Sequence, residues 1–354
     1  MSRFLSSRYE ALEAYVPGEQ PRDKEYIKLN TNESPFPPSK SVADAVKAEA
    51  ALLNLYPDPD CRALRTKLAE IHGVAPENVF TAAGSDEALD FFFTAFCDES
   101  RPVAFPAISY GMYTVLANVH GVPVKSVPLR EKFRLAPEDF TGLGMNKIVC
   151  NPNAPTGRFI PVSDIEKIAA SDPEYITAVD EAYIDFGGES SVSLLPKHDN
   201  LMIFRTFSKS RSLAGGRLGY VMAGREIIED LEKIKYSLNP YNINRLTAAA
   251  ALATLDDDEY YRRNCEEIIE NREYTTAELA KLGFETLPSK TNFIFTRSGK
   301  ISGSALYGRL KDKGVLIRHW NNPAISEWCR VTIGSREEME TFLRKTKEII
   351  EEAE

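Results

Sequence analysis

Histidine is scarce in this chain, and neither cysteine nor basic residues are arranged in a way that marks a common protein class. Its 354 residues include four histidines, His72, His120, His198 and His319, spaced too widely to form a ligand set. A zinc site is therefore not expected. The five cysteines, Cys61, Cys97, Cys150, Cys265 and Cys329, are odd in number, scattered and without a C-x-x-C pair. They build no disulfide framework, and a reducing cytoplasm suits them better. No apolar run comes near the ~18 residues of a membrane span, and the opening MSRFLSSRYE holds no stretch suited to a signal peptide. Lysine and arginine, 43 together, are outnumbered by 52 aspartates and glutamates, for a formal net charge of −9. Without a basic surplus to displace phosphate counterions, a general nucleic-acid binder is excluded. No G-x-G-x-x-G or Walker motif follows a strand-like segment, which removes nucleotide-binding α/β proteins from consideration. Internal repeats and low-complexity linkers are also missing.

What remains is ordinary for a soluble enzyme: 43% hydrophobic and 27% charged residues. The length exceeds one compact core, so a large and a small unit are expected. Residues 1–39, with NTNESPFPPS, read as an extended arm. From about Ser41, helices alternate with short apolar strands. AVKAEAALLNLY and CRALRTKLAEIHG are helical, the second ending in a glycine C-cap. VFTAAG reads as a strand leading into the helix SDEALDFFFTAF. KIVCN, ITAVDEAY, LMIFRTFS and RLGYVMA read as buried strands. This pattern predicts an α/β fold over residues 40–245, a mainly parallel sheet sandwiched by helices. Residues 246–354 change texture. A long amphipathic helix, YYRRNCEEIIENREYTTAELAKLG, precedes strand-like FETL, TNFIFTR, GVLIRHW and CRVTIG and a closing helix, which reads as a smaller α+β domain.

In open α/β sheets ligands gather beyond the carboxyl ends of the strands, so the polar residues there carry the chemistry. AVDEAY presents Asp180 and Tyr183. RTFSKS presents Thr206, Ser208 and Lys209, with Arg217 eight residues further on in LAGGRLG. AAGSDE places Gly84, Ser85 and Asp86 at a helix start. Singly, each has a plain reading as a cap, a turn residue or a solvated charge. Together they match what pyridoxal 5'-phosphate requires: an amine for imine formation, a carboxylate for the pyridine nitrogen, and a phosphate cradle. The helix N-terminus at Gly84–Asp86 offers N–H groups and a favourable dipole, with the Asp86 side chain free to cap. Arg217 offers a forked cation. Burial and the nearby Arg217 are expected to lower the pKa of Lys209.

In order along the chain, NLYPDPDCRALRTKLAE, TAAGSDEALD, NPNAPTG, VDEAYIDF, TFSKSRSLAGGRLGY and RVTIG make it similar to the fold-type-I aminotransferases, specifically the histidinol-phosphate aminotransferase family. The resemblance covers almost the whole length. It implies that Lys209 is the cofactor-bearing lysine and moves the substrate proton. It implies that Asp180 pairs with the pyridine nitrogen, that Tyr183 bonds the phenolic oxygen and that Tyr110 stacks on the ring. Gly84, Ser85, Asp86, Thr206, Ser208 and Arg217 would surround the phosphate. Tyr56, in LYPDP, would reach the phosphate in a neighbouring subunit, which implies a homodimer with shared active sites. Arg330 and Arg318 would grip carboxylate or phosphate of the substrates, and Asn32 would line the substrate entrance.

One position departs from the family. Asparagine usually stands before Pro-Thr-Gly and bonds the cofactor's phenolic oxygen; here that residue is Ala154, preceded by Asn153. Either Asn153 shifts to take the role or Tyr183 acts alone. The implied reaction is transfer of the amino group of L-histidinol phosphate to 2-oxoglutarate in a cytoplasmic enzyme of histidine biosynthesis. Alternatives are an aminotransferase for aromatic or other amino acids, or a threonine-phosphate decarboxylase.

Overall fold

The computed structural model describes residues 2–352. The outer ends of the expected arm and small domain, Met1 and residues 353–354, lie outside the described residues. In chain order the strands and α-helices are β1 (Ile27–Lys28), α1 (Lys40–Ala50), α2 (Arg62–His72), β2 (Val79–Ala82), α3 (Ser85–Phe96), β3 (Val103–Pro106), α4 (Met112–His120), β4 (Val124–Val127), β5 (Asn146–Cys150), α5 (Val162–Ser171), β6 (Thr177–Asp180), β7 (Leu201–Thr206) and β8 (Gly219–Ala223). There follow α6 (Arg225–Leu238), α7 (Arg245–Asp256), α8 (Asp258–Lys281), β9 (Phe284–Thr286), β10 (Phe293–Ser298), α9 (Gly303–Asp312), β11 (Val315–Leu316), β12 (Arg318–His319), β13 (Cys329–Thr332) and α10 (Arg336–Glu351).

Seven strands form the large sheet in the order β2-β8-β7-β6-β5-β3-β4. β8 runs antiparallel to both its neighbours, β2 and β7, while the pairings among β3 to β7 are parallel. The mainly parallel sheet read from the sequence is present. Both its faces are covered, and the side-chain alternation shows how. On β5 and β7, Ile148, Met202 and Phe204 pack into one core with Phe91, Phe92 and Phe93 of α3 and Leu231 of α6. Val149, Leu201 and Ile203 point the other way, into a core with Leu64 and Leu68 of α2, Ile165 of α5 and Ala251 of α7. β4 is the exception, exposed over three of its four residues, because it closes one edge of the sheet.

Helix α2 ends at Gly73, whose φ of 67° is a left-handed cap and whose N–H returns to the carbonyl of Ala69. Helix α7 packs against α1 and α2, and α8 continues from it after the single residue Asp257 to pack against α10. The second sheet, β12-β13-β10-β9, is antiparallel throughout. Its closing helix α10 opens with a capping box between Ser335 and Glu338. The arm returns to this part of the chain, since β1 pairs parallel with β11, Ile27 opposite Val315.

Candidate active site

Strand β6 (TAVD) is buried along its whole length and ends on Asp180. The carboxylate accepts the hydroxyl of Tyr113 at 2.6 Å and the backbone N–H of Ala182 at 3.1 Å. Burial raises its pKa, and the two donors oppose that rise. Three residues on, Tyr183 is buried as well, and its hydroxyl accepts Asn32 Nδ2 at 2.9 Å.

The neighbouring strand β7 ends on Thr206. The Thr206 hydroxyl donates to the Leu218 carbonyl at 3.4 Å and accepts the Ser208 N–H at 3.1 Å, which tightens the turn that carries Lys209. Behind this turn, Arg205 pairs with Asp185 and faces Glu181 across 3.5 Å, while Ser210 also donates to Asp185. The Lys209 amine lies 3.4 Å from the Thr31 carbonyl and 5.7 Å from the centre of the Tyr183 ring. Its pKa is lowered to about 8, first by burial and next by Arg330, with Arg217 a lesser contributor and Glu33 and Asp86 opposing. The sequence pointed to burial and Arg217; the larger cationic influence comes from the small-sheet residue Arg330.

The third wall is the start of α3. Gly84 adopts φ of 94°, and a Cβ there would meet Arg217 Nη2 at 2.7 Å. A Cβ on Gly219 of β8 would lie 2.5 Å from the Ser85 nitrogen. Both glycines thus let Arg217 and β8 close on a helix N-terminus whose first N–H groups have no partner within the helix. The expected cap by Asp86 is not formed. Asp86 instead accepts the Tyr110 hydroxyl at 2.9 Å and Arg217 at 3.4 Å. Gly84 occupies the cap position and offers no side chain, while Glu87 takes the Ala83 N–H.

These walls enclose a cavity of about 400 Å³ lined by Ser85, Asp86, Tyr110, Ala154, Asp180, Tyr183, Thr206, Ser208, Lys209 and Arg217, among others. A second chamber of about 630 Å³ shares Thr31, Tyr110, Ala154, Tyr183 and Lys209 with it and extends to Asn32, Tyr15, Trp320, Arg318 and Arg330. Arg330 donates to the Asn30 carbonyl at 2.9 Å, while its buried Nε has no partner among the described residues. Arg318 donates to the Val16 and Pro17 carbonyls at 3.2 and 3.3 Å and lies over Trp320. The arm therefore crosses the chamber, and Tyr15 meets Tyr110 edge-on at 6.1 Å.

Two expected residues stand apart. The Asn153 amide donates to the Ile108 carbonyl at 3.0 Å and to Thr156 at 2.9 Å, and its oxygen accepts Ser109 at 2.8 Å. Neither space is lined by Asn153, whereas Ala154 faces both. Tyr56 is 78% exposed and stacks on Tyr241 at 4.5 Å, away from the cavity of its own chain. Sequence reasoning missed Tyr113, Thr31, Glu33, Tyr15 and Trp320. A tyrosine in an apolar helix or an aromatic in the arm carries no local signal of its partner.

This fold, with a lysine, a carboxylate and a helix N-terminus around one cavity, defines a class. The model of the family described as aminotransferase class I and II matches residues 24–345, and the chain belongs to that family. It is 44% identical over 351 residues to the histidinol-phosphate aminotransferase of Clostridium botulinum (strain 657 / Type Ba4), covering 99% of each chain. It is equally 44% identical to the histidinol-phosphate aminotransferase of Clostridium acetobutylicum, over 99% of this chain and 100% of that one. Among solved structures, the histidinol-phosphate aminotransferase of Sinorhizobium meliloti, in complex with pyridoxal-5'-phosphate, superposes with a TM-score of 0.90. At 24% identity over 100% of this chain and 99% of that one, this likeness speaks to the fold.

Proposed function

We propose that this enzyme uses pyridoxal 5'-phosphate to move the amino group of L-histidinol phosphate to 2-oxoglutarate, giving imidazole acetol phosphate and glutamate. The observation that carries the reading is the position of the Lys209 amine, on the seam between a phosphate-suited cavity and a larger chamber bearing two arginines. The donor set fits the cofactor. Ser85, Asp86 (through its N–H), Thr206, Ser208 and Arg217 would hold its phosphate. Asp180, held by Tyr113, would keep a proton on its ring nitrogen, and Tyr183 would donate to its phenolic oxygen. Tyr110 would lie against its ring.

When bound, pyridoxal 5'-phosphate supplies an electron-withdrawing pyridinium that takes up negative charge from the substrate's α-carbon. The protein does the rest. Lys209, with a pKa near 8, is partly neutral around neutral pH and is suited to carry a proton at the reacting carbon. Arg330, whose buried Nε has no partner among the described residues, is suited to the carboxylate of the oxo acid, and Arg318 to the phosphate of the amine. Tyr15, Tyr110 and Trp320 give the chamber aromatic walls for a heteroaromatic side chain.

The same reading includes a homodimer in which Tyr56 reaches the partner's phosphate site. Leu53, Leu55, Tyr56 and Leu238 are all more than half exposed, an apolar set that a second copy would cover. It also includes an arm over 1–39, a cofactor domain over 40–245, a small domain over 246–354 and a cytoplasmic role in histidine biosynthesis. A substrate panel tests the function. Histidinol phosphate, phenylalanine and threonine phosphate are mixed in turn with the cofactor-loaded enzyme, and the cofactor's absorbance change and products are followed. Amine transfer from histidinol phosphate at a kcat/KM well above the others supports the reading. Preferential turnover of phenylalanine, or carbon dioxide release from threonine phosphate, contradicts it.

A further inference from the structure

The hydroxyl of Tyr183 is held by a residue from the opposite end of the chain. Asn32 adopts φ of 57°, a left-handed backbone that asparagine tolerates better than most residues. Its N–H donates to Thr332 Oγ1 at 3.0 Å, and Thr332 returns its own proton to Asn32 Oδ1 at 3.0 Å. Asn292 donates to the Asn32 carbonyl at 3.0 Å. Asn32, Asn292 and Thr332 are all buried. These three contacts fix Asn32, and the group left over, Nδ2, points at Tyr183 across 2.9 Å.

A phenol that accepts such a bond keeps its proton for another direction. Among the described residues no acceptor takes the Tyr183 proton, and the ring lines both the cofactor cavity and the substrate chamber. On the neighbouring wall stands Ala154, whose side chain can donate nothing, while the Asn153 amide is spent on Ile108 and Thr156. Tyr183 thus keeps an unspent hydroxyl proton, among the described residues, in the two spaces that Ala154 also lines. Hydrogen bonds in series polarise one another, so a donor behind Tyr183 strengthens the bond it gives.

We propose that Asn32 is a positioning residue for Tyr183, aiming its proton into the cofactor cavity and strengthening a donor that an amide at position 154 would otherwise share. The proposal rests on the cofactor reading above. It assigns the arm a part in the cofactor's electronics and makes Asn32 and Ala154 a coupled pair, although 122 positions separate them in the sequence.

The test compares cofactor-loaded wild type, Asn32→Ala, Ala154→Asn and the double variant. Each is titrated by the pH midpoint of the bound cofactor's visible absorbance. Donors to a phenolate favour the form lacking the extra proton, so a lost or weakened donor raises the midpoint. Asn32→Ala is expected to raise it by about half to one pH unit. In the Ala154→Asn background the same change is expected to shift it less than half as far, because the new amide donates directly. An arm merely loosened by the substitution would give equal shifts in both backgrounds, and that result, or no shift, overturns the proposal. Thr332→Val leaves Asn32 in place without its anchor, and a smaller rise in the same direction supports the proposal if Asn32→Ala does not fold. A wild-type protein that takes up no pyridoxal 5'-phosphate in equilibrium dialysis sinks the cofactor reading itself, an outcome distinct from equal shifts.

Discussion

Tyr113 of α4 gives its hydroxyl proton to Asp180 at the end of β6, across 2.6 Å in the buried core beside the seven-stranded sheet. The bond binds a helix to the strand end where the chemistry is expected, and it keeps a buried carboxylate from standing alone. Removing it with Tyr113→Phe leaves Asp180 with the Ala182 N–H as its remaining donor among the described residues. Burial already raises the Asp180 pKa, so the variant should raise it further. For a carboxylate raised in the folded state, ionisation costs stability at neutral pH, and that cost is relieved as pH falls through the raised value. We expect kcat/KM to fall roughly 10–100-fold, from the ~1.5–3 kcal/mol of a charged hydrogen bond. The acid limb of the pH–rate profile should move upward, which a kcat/KM titration measures.

Lys209 and Arg330 form a second testable pair. Burial and Arg330 lower the Lys209 pKa from 10.5 to about 8. A depressed lysine penalises the folded state below about pH 8, and stability from this group returns as pH climbs toward the unfolded value. Arg330→Gln removes the larger cationic influence, so the pH midpoint for acylation of Lys209 in the cofactor-free protein should rise. The same variant should raise the KM for the oxo acid roughly 10–100-fold through a lost charged hydrogen bond. An unchanged midpoint would remove Arg330 from the account of this lysine.

Two glycines make graded predictions. At Gly84 an added Cβ meets the far end of the Arg217 side chain at 2.7 Å, which can swing away, though φ of 94° adds backbone strain. At Gly219 it meets the backbone of Ser85 and Gly84 at 2.5 and 2.6 Å, which cannot. Gly84→Ala should weaken cofactor binding about tenfold while the protein stays folded. Gly219→Ala should lower stability by about 1–3 kcal/mol as an overpacked core does. Equilibrium dialysis and denaturant unfolding separate the two.

The arm is strapped across the chamber by Arg318, through the Val16 and Pro17 carbonyls, and by the Lys311–Glu19 pair. Arg318→Ala should hasten limited proteolysis within residues 10–25. A phosphate-bearing substrate, which on the proposed reading would compete for the same guanidinium, should hasten it in the wild type too. Cleavage timed by mass spectrometry checks both.

Much of this was legible in the sequence, because strand ends carry their signals locally. Asp180 and Thr206 follow runs of buried residues, and Gly84–Ser85 mark a turn into a helix. The parallel sheet follows from TAVD, LMIFRT and NKIVC being buried on both faces. The antiparallel direction of β8 left no trace in GYVMA, whose burial is the same either way. Nor did the Asp86 contacts, since its pattern suits a cap as well as it suits Tyr110 and Arg217. Residues joined across 300 positions, as Asn32 and Thr332 are, stay silent in a single sequence. Their partners are set by how the arm folds back on the small sheet.

The proposed chemistry depends on Lys209 carrying the cofactor. Borohydride reduction of the enzyme loaded with pyridoxal 5'-phosphate, followed by proteolysis and peptide mass mapping, tests it most directly. We expect one stoichiometric phosphopyridoxyl group on the peptide containing Ser208-Lys209-Ser210, and none on the Lys209→Ala variant. A label on another lysine, or an unlabelled Lys209 in the loaded wild type, would contradict it.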